Sequence, residues 1–150
     1  MQLRRILALV PALLLLAACG GAGGRTASPA PQGAPGGTAP SAAVERFLRL
    51  ASEKSYAQMG YVFGTREGPI SGRDPGPQVE RRMFALAGLL ENQRFVIRGE
   101  QPVPGRSTEA VDVDVVLTQR DAVRSVPFTV VRSGDRWFIE KIDLERITRR

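Results

Sequence analysis

The hydrophobic pattern of this chain changes its period near residue 93, and this change limits the folds open to it. Before that point apolar residues recur every three to four positions, as at Val44, Phe47 and Leu48, which is typical of amphipathic helices. After it apolar and polar residues alternate, most clearly over residues 111–115, which is typical of strands. The order predicts helices first and an antiparallel sheet afterwards, in an α+β domain.

Three helices are predicted before the change of period. The first lies in SAAVERFLRLASEKS, with Ser41 as its N-cap. A short second helix follows in YAQMGYVFG, where Ser55 and Gln58 have the spacing of a capping box. The third lies in DPGPQVERRMFALAGLLEN, with Asp74 as its cap. Its buried stripe comprises Val79, Met83, Leu86 and Leu90. The glycines and proline of residues 64–73 predict a loop between the second and third helices.

Four strands are predicted after residue 93. They are RFVIRGE, EAVDVDVVLT, VRSVPFTVVR and RWFIEKIDL. The connections QRDA and SGD are short enough for hairpins, so the last three strands are expected to form an antiparallel meander. Residues 41–150 suit one domain in length. We therefore expect a single α+β domain, with N-terminal helices packed on a curved four-stranded antiparallel sheet.

The order of elements resembles the nuclear transport factor 2-like superfamily, whose cone-shaped fold also occurs in SnoaL-like and ketosteroid-isomerase-like proteins. The resemblance lies in AVERFLRLASEKSYAQMGYVFGT and in the terminal hairpin VPFTVVRSGDRWFIEKIDL. It implies a cone-like domain whose sheet and helices can enclose a cavity, with Tyr56, Tyr61, Phe63 and Trp137 as the expected lining. This fold carries enzymes, ligand carriers and interaction domains alike, so the resemblance selects no activity.

Asp112 and Asp114 are the best candidates for an acid or base, because isomerases of this fold use a carboxylate with a tyrosine donor such as Tyr56 or Tyr61. Both aspartates alternate with aliphatic residues, so they are expected to point away from the helices. They should be solvated or paired across strands with Arg124, Arg132 or Lys141. The chain has no histidine, and we predict no catalytic, cofactor-binding or metal-binding residues.

The N-terminus predicts export. MQLRR carries two arginines, and ILALVPALLLLAA then runs for 13 residues without a charge. As a helix this segment would measure roughly 20 Å, which is shorter than the hydrocarbon core of a bilayer of about 30 Å. Residues 1–18 are therefore predicted to be a cleaved signal peptide rather than a transmembrane helix.

The only cysteine of the chain, Cys19, ends the sequence Leu16-Ala17-Ala18-Cys19. These four residues resemble the lipobox of bacterial lipoproteins, which implies cleavage after Ala18, a diacylglyceryl group on the thiol and an acyl chain such as palmitate on the new amine. Two or more acyl chains hold a protein stably on a bilayer. Cys19 is thus predicted to anchor the protein to a membrane.

Residues 19–40 are predicted to be a disordered spacer behind the lipidated cysteine. Gly or Pro occupies 11 of the 21 positions from 20 to 40, and none holds a large apolar residue. A chain that begins at Ser41 is accordingly expected to unfold at the same midpoint as one that begins at Gly20. Gly20 stands where lipoproteins of the inner membrane typically carry Asp, which favours the periplasmic face of the outer membrane in a cell with two membranes.

The charge does not indicate a nucleic-acid partner. Cleavage of the signal leaves 19 basic and 15 acidic side chains, a formal charge of +4. The leading hypothesis is an envelope lipoprotein whose domain is a non-catalytic binding or assembly module, with a protein partner or a homodimer formed through the sheet face of Val116, Thr129 and Val131. The alternatives are a pocket enzyme of isomerase or hydrolase type, and an arginine-rich surface that docks on anionic envelope polymers or lipid headgroups.

Overall fold

A computed structural model of the protein describes residues 33–149, in which helices precede a sheet. The helices are α1 (Pro40–Ser52), α2 (Tyr56–Met59), α3 (Gly76–Leu89) and the short α4 (Glu145–Thr148). The strands are β1 (Gly64–Thr65), β2 (Gly68–Pro69), β3 (Arg94–Pro102), β4 (Ala110–Thr118), β5 (Val123–Ser133) and β6 (Arg136–Ile142). The prediction of an α+β fold with a four-stranded antiparallel sheet is confirmed.

Strands β3 to β6 form one antiparallel sheet in their order along the chain, so the predicted meander is also confirmed. The β4–β5 ladder is regular from the pair Ala110–Val131 to the pair Thr118–Val123. Since side chains alternate along a strand, Val113, Val115 and Leu117 of β4 share one face, and all three are fully buried. The strand pattern therefore identifies the core face correctly.

Helix α1 packs on this face of the sheet, and α2 and α3 pack against α1 and complete the core. On α1 the predicted stripe of Val44, Phe47 and Leu48 is buried, because these residues recur on one side of the helix. On α3 three of the four stripe residues are buried, whereas Leu86 is only half-buried. The sheet contributes Val113, Val115, Leu117, Val126, Phe128, Val130 and Ile139.

The N-terminal segment 33–39 lies against the sheet, whereas the sequence predicts a disordered spacer through residue 40. Gly36 N–H donates to Tyr61 O at 2.8 Å, and Gly37 pairs with Trp137 as an isolated antiparallel bridge at the edge of β6. The spacer prediction does not anticipate these contacts. It depended on the lack of apolar side chains, but backbone groups hydrogen-bond without them. Residues 1–32, including the predicted signal peptide and Cys19, lie outside the described part of the chain.

The predicted helix caps are not formed. Ala39, not Ser41, is the N-cap of α1, and Ser41 lies in the first turn. Its backbone N–H donates to Oε1 of Glu100 on β3 at 3.0 Å, and its hydroxyl donates to the same oxygen. A distant carboxylate thus satisfies the helix N-terminus, where negative charge is favourable. Pro75 rather than Asp74 precedes α3, and Ser55 precedes α2 without a capping hydrogen bond from its side chain.

The predicted loop 64–73 has more structure than its composition suggests. Strands β1 and β2 form a small hairpin in which Gly64 pairs with Pro69, and a 3-10 turn over Ile70–Gly72 follows. An added Cβ at Gly64 would lie 2.3 Å from Gly68 O, so the glycine permits this close approach. Phe63, just before the hairpin, forms a parallel bridge with Ile139 and helps to cover the edge of β6.

The longest helices of residues 33–149 are α1, with 13 residues, and α3, with 14. Within residues 33–149 no helix combines the length and the apolar character required to cross a bilayer.

Candidate functional site

A groove of about 430 Å³ lies between helix α3 and the end of strand β6. Its apolar residues come from both elements, from the chain just before β1 and from the chain just after β6. They are Phe63, Ala85, Leu86, Leu89, Ile142 and Leu144. Its volume falls within the range of about 300–1,000 Å³ that is usual for small-molecule sites. The groove exists because α3 turns Leu86 and Leu89 toward the sheet edge without burying them fully.

Phe63 and Arg82 form one wall of the groove. The Phe63 side chain is buried, and its ring centroid lies 6.0 Å from that of Phe47, with the two rings tilted by 41°. The Arg82 guanidinium carbon lies 4.9 Å from the Phe63 ring centroid on the solvent side. This distance is within the range of a cation–π contact. A positive charge is therefore held beside an apolar surface.

Two further charged residues line the groove. Glu140 is half-buried, and its Oε2 accepts a hydrogen bond from Arg106 Nη1 at 3.0 Å as part of an ion pair. Lys141 is exposed. The lining therefore combines an apolar bed with two cations and one carboxylate whose charge Arg106 already balances. This arrangement suits an apolar ligand with a negative or polar end.

The four aromatic residues expected to line one cavity lie in different places. Phe63 lines the groove, but Tyr56 packs edge-on against Phe84 at 5.4 Å between centroids, in a separate depression. Tyr61 and Trp137 are half-buried and line neither concavity. The structure thus does not bring these four side chains together.

Asp112 and Asp114 lie on the opposite face of the sheet from the helices, as their alternation with valines predicts. The partners differ from those expected. Thr129 Oγ1 donates to Asp112 Oδ1 at 2.7 Å, and Ser125 Oγ donates to Asp114 Oδ1. Hydroxyls of β5, rather than arginines or lysine, therefore pair with both carboxylates. The β4–β5 register places Thr129 directly opposite Asp112, whereas Asp114 stands opposite Pro127 and reaches Ser125 diagonally.

The groove residues Arg82, Leu89 and Leu144 were missed by reasoning from the sequence. One signal was present: Leu89 falls outside the predicted stripe of Val79, Met83, Leu86 and Leu90, so it is a large apolar residue beyond the predicted buried side of the helix. Leu90 is buried, and Leu89 is 39% exposed. No sequence signal placed Leu144 in the groove, because it follows β6 and comes close to α3 only in the tertiary fold.

No group of three or more His, Cys, Asp or Glu side chains within residues 33–149 is arranged to hold a metal ion. Comparison with protein-family models, with curated proteins and with solved structures yields no match to this chain.

Proposed function

We propose that this protein is an envelope lipoprotein whose α+β domain is a non-catalytic binding module, with the α3–β6 groove as its binding site. The single observation that carries the binding role is the apolar bed of the groove beside the Arg82 guanidinium. Such a bed binds through burial of apolar area, at about 25 cal/mol per Å².

The position of the acidic residues favours binding over catalysis. Asp112 and Asp114, the strand carboxylates first considered for acid–base chemistry, lie on the other face of the sheet and accept hydrogen bonds there. Glu140 is the carboxylate of the groove lining, and it is ion-paired with Arg106. An enzyme of isomerase or hydrolase type would have to displace that pair to use Glu140 as a base.

The cellular role rests on the N-terminal sequence. The lipobox-like Leu16-Ala17-Ala18-Cys19 supports lipidation of Cys19, attachment to a membrane and a place in the bacterial cell envelope, with the outer membrane favoured by Gly20. The succession of helices and antiparallel strands supports a cone-like fold related to nuclear transport factor 2. In this proposal the anchor positions the domain, and the groove recruits a ligand or a partner segment to the membrane.

The groove can be tested with the anionic aromatic probe 1-anilinonaphthalene-8-sulfonate and a soluble chain that begins at Gly20. Leu89→Gln places an amide in the apolar bed, so we expect the half-saturating probe concentration to rise by about tenfold. Val123→Gln is the matched control, because Val123 is 67% exposed and does not line the groove. Equal effects of the two substitutions would refute the groove as the binding site.

A further inference from the structure

Three arginines lie where the N-terminal segment joins the domain. Arg46 of α1 donates from Nη1 to Ala34 O at 2.5 Å and to Gly36 O at 2.8 Å. Arg136 of β6 donates from Nε to Pro35 O at 2.8 Å. Arg49 lies one turn after Arg46 on α1 and is exposed. We call Arg46, Arg49 and Arg136 the entry patch.

The charges of the entry patch repel one another. Burial, followed by the charges of Arg136 and Arg49, lowers the pKa of the Arg46 guanidinium from its ordinary value. Neither Arg49 nor Arg136 forms an ion pair with a carboxylate within residues 33–149. Cations held together in this way attract an external anion, and guanidinium groups match phosphate through paired N–H donors.

The patch also lies at a defined distance along the chain from the proposed anchor. Cys19 precedes Gly33, the first described residue, by 14 positions that are rich in glycine and proline. If these positions form the spacer predicted from the sequence, its root-mean-square span is roughly 20 Å. A lipidated Cys19 would therefore keep the domain within reach of the bilayer surface, and the tether would enter the domain beside the three arginines.

We propose that the entry patch docks on the phosphate headgroups of the anionic lipids in the membrane that carries the anchor, and so orients the domain on that surface. The proposal rests on the anchor of the proposed function. Among anionic partners, lipid headgroups are favoured over soluble polymers because the tether holds them beside the patch at high effective concentration. Each arginine near an anionic surface strengthens such docking by roughly fivefold.

Trp137 provides the measurement, because it is the only tryptophan of the chain, pairs with Gly37 and follows Arg136 directly. The mature full chain is placed on vesicles of brominated phosphatidylcholine, with or without brominated phosphatidylglycerol, and quenching of Trp137 is recorded. We expect stronger quenching on the anionic vesicles, with the difference reduced at high salt. Arg49→Gln, whose side chain holds none of residues 34–36, should lower the ratio of docked to free domain by about fivefold.

The matched control is the double variant Arg81→Gln with Arg98→Gln, compared with Arg49→Gln and Arg136→Gln together. Both pairs remove two exposed or half-exposed positive charges, but Arg81 on α3 and Arg98 on β3 lie outside the entry patch. The variant that lacks Arg81 and Arg98 should still show stronger Trp137 quenching on the anionic vesicles. The variant that lacks Arg49 and Arg136 should lose this difference between the two vesicle types. Equal loss in both pairs, or equal quenching of the wild-type chain on the two vesicle types, overturns the proposal.

Two further outcomes separate this proposal from its premise. A wild-type chain that fails to sediment with phosphatidylcholine vesicles lacks the lipid anchor, which refutes the premise. The patch is then judged by sedimentation with anionic vesicles, which Arg49→Gln should weaken by about fivefold if the patch binds lipid. Binding of the wild-type chain to dextran sulfate without any response to phosphatidylglycerol would overturn docking on headgroups in favour of an anionic polymer.

Discussion

Gly37 and Trp137 exchange two backbone hydrogen bonds, with Gly37 N donating to Trp137 O at 2.8 Å and Trp137 N donating to Gly37 O at 2.9 Å. This pairing joins the N-terminal segment to the last strand of the sheet. It covers part of an edge that would otherwise present unpaired backbone groups. The folded unit therefore includes a segment, residues 33–39, that has no large apolar side chain.

Gly37→Ala should destabilise the domain by about 1–3 kcal/mol, because the added methyl group has no room. A Cβ at position 37 would lie 2.4 Å from Ala43 N, which belongs to the backbone of α1 and cannot move freely. Gly88→Ala is the control: no atom lies within 4 Å of its Cβ, and alanine should stabilise α3 by up to about 1 kcal/mol. Urea unfolding of both variants measures this difference in stability. Equal unfolding midpoints for Gly37→Ala and Gly88→Ala would contradict the prediction.

Removal of the segment itself should also weaken the fold. Deletion of residues 20–32 leaves the pairing of Gly37 intact, so we expect no change in the unfolding midpoint. Deletion of residues 20–40 removes the pairing and the contacts of Arg46 and Arg136, and should cost about 2 kcal/mol or more, at roughly 1 kcal/mol per hydrogen bond. Identical midpoints for the two deletions would restore the original expectation of a spacer through residue 40.

The large elements of this fold could be predicted because their signal is local. Alternation in residues 111–117 fixes which side of β4 faces the core, and the short connections fix antiparallel neighbours. The stripe Val44, Phe47 and Leu48 likewise identifies the buried side of α1. In each case the residues that carry the pattern also make the contacts.

The features that could not be predicted from the sequence depend on contacts between residues far apart in the chain and on backbone hydrogen bonds. Glu100 on β3 accepts the hydrogen bond from the Ser41 N–H at the start of α1, although the two residues are 59 positions apart. No local capping pattern contains that carboxylate. The groove joins Leu89 to Leu144 only after the meander is complete. Aromatic residue type suggested Tyr56 as lining, but it packs against Phe84 in a separate depression.

The hairpin before α3 gives a prediction for pH. The Thr65 hydroxyl, which donates to Glu67 Oε2 at 2.5 Å, is the main cause that lowers the pKa of Glu67, and Arg73 contributes further. A lowered folded-state pKa stabilises the hairpin above the unfolded pKa, and this contribution is lost as pH falls through the folded value. Thr65→Val should raise the pKa of Glu67 toward its ordinary value in NMR titration. An unchanged titration would contradict the role of the hydroxyl.

Cys19→Ala should abolish membrane attachment, because the thiol is the proposed acceptor of the diacylglyceryl group. Cell fractionation, with a high-salt wash to remove charge-dependent binding, measures the loss, and mass spectrometry of the wild-type chain should show acyl chains on Cys19. Cys19→Ser serves as a second variant of nearly the same shape that also lacks the thiol. Equal retention of wild type and both variants in the washed membranes would refute the lipid anchor.

Residues of the core and the strand carboxylates Asp112 and Asp114 should differ in their effect on stability. Phe128 on β5 is fully buried, so Phe128→Ala should cost about 3–5 kcal/mol of unfolding free energy. Trp137 is half-buried against the core, so Trp137→Ala should cost less than Phe128→Ala and still weaken the domain. Thermal and urea unfolding measure which of the two substitutions costs more unfolding free energy.

Asp112→Asn with Asp114→Asn should instead leave stability within about 0.5 kcal/mol of wild type, since an amide oxygen can still accept from Thr129 and Ser125. The phenotype in cells should also be unchanged, because neither carboxylate reaches the α3–β6 groove. A double variant that folds normally and yet behaves as a null in cells would show that one of these acids acts in chemistry or recognition. In that case the pocket enzyme would replace the binding module as the leading function.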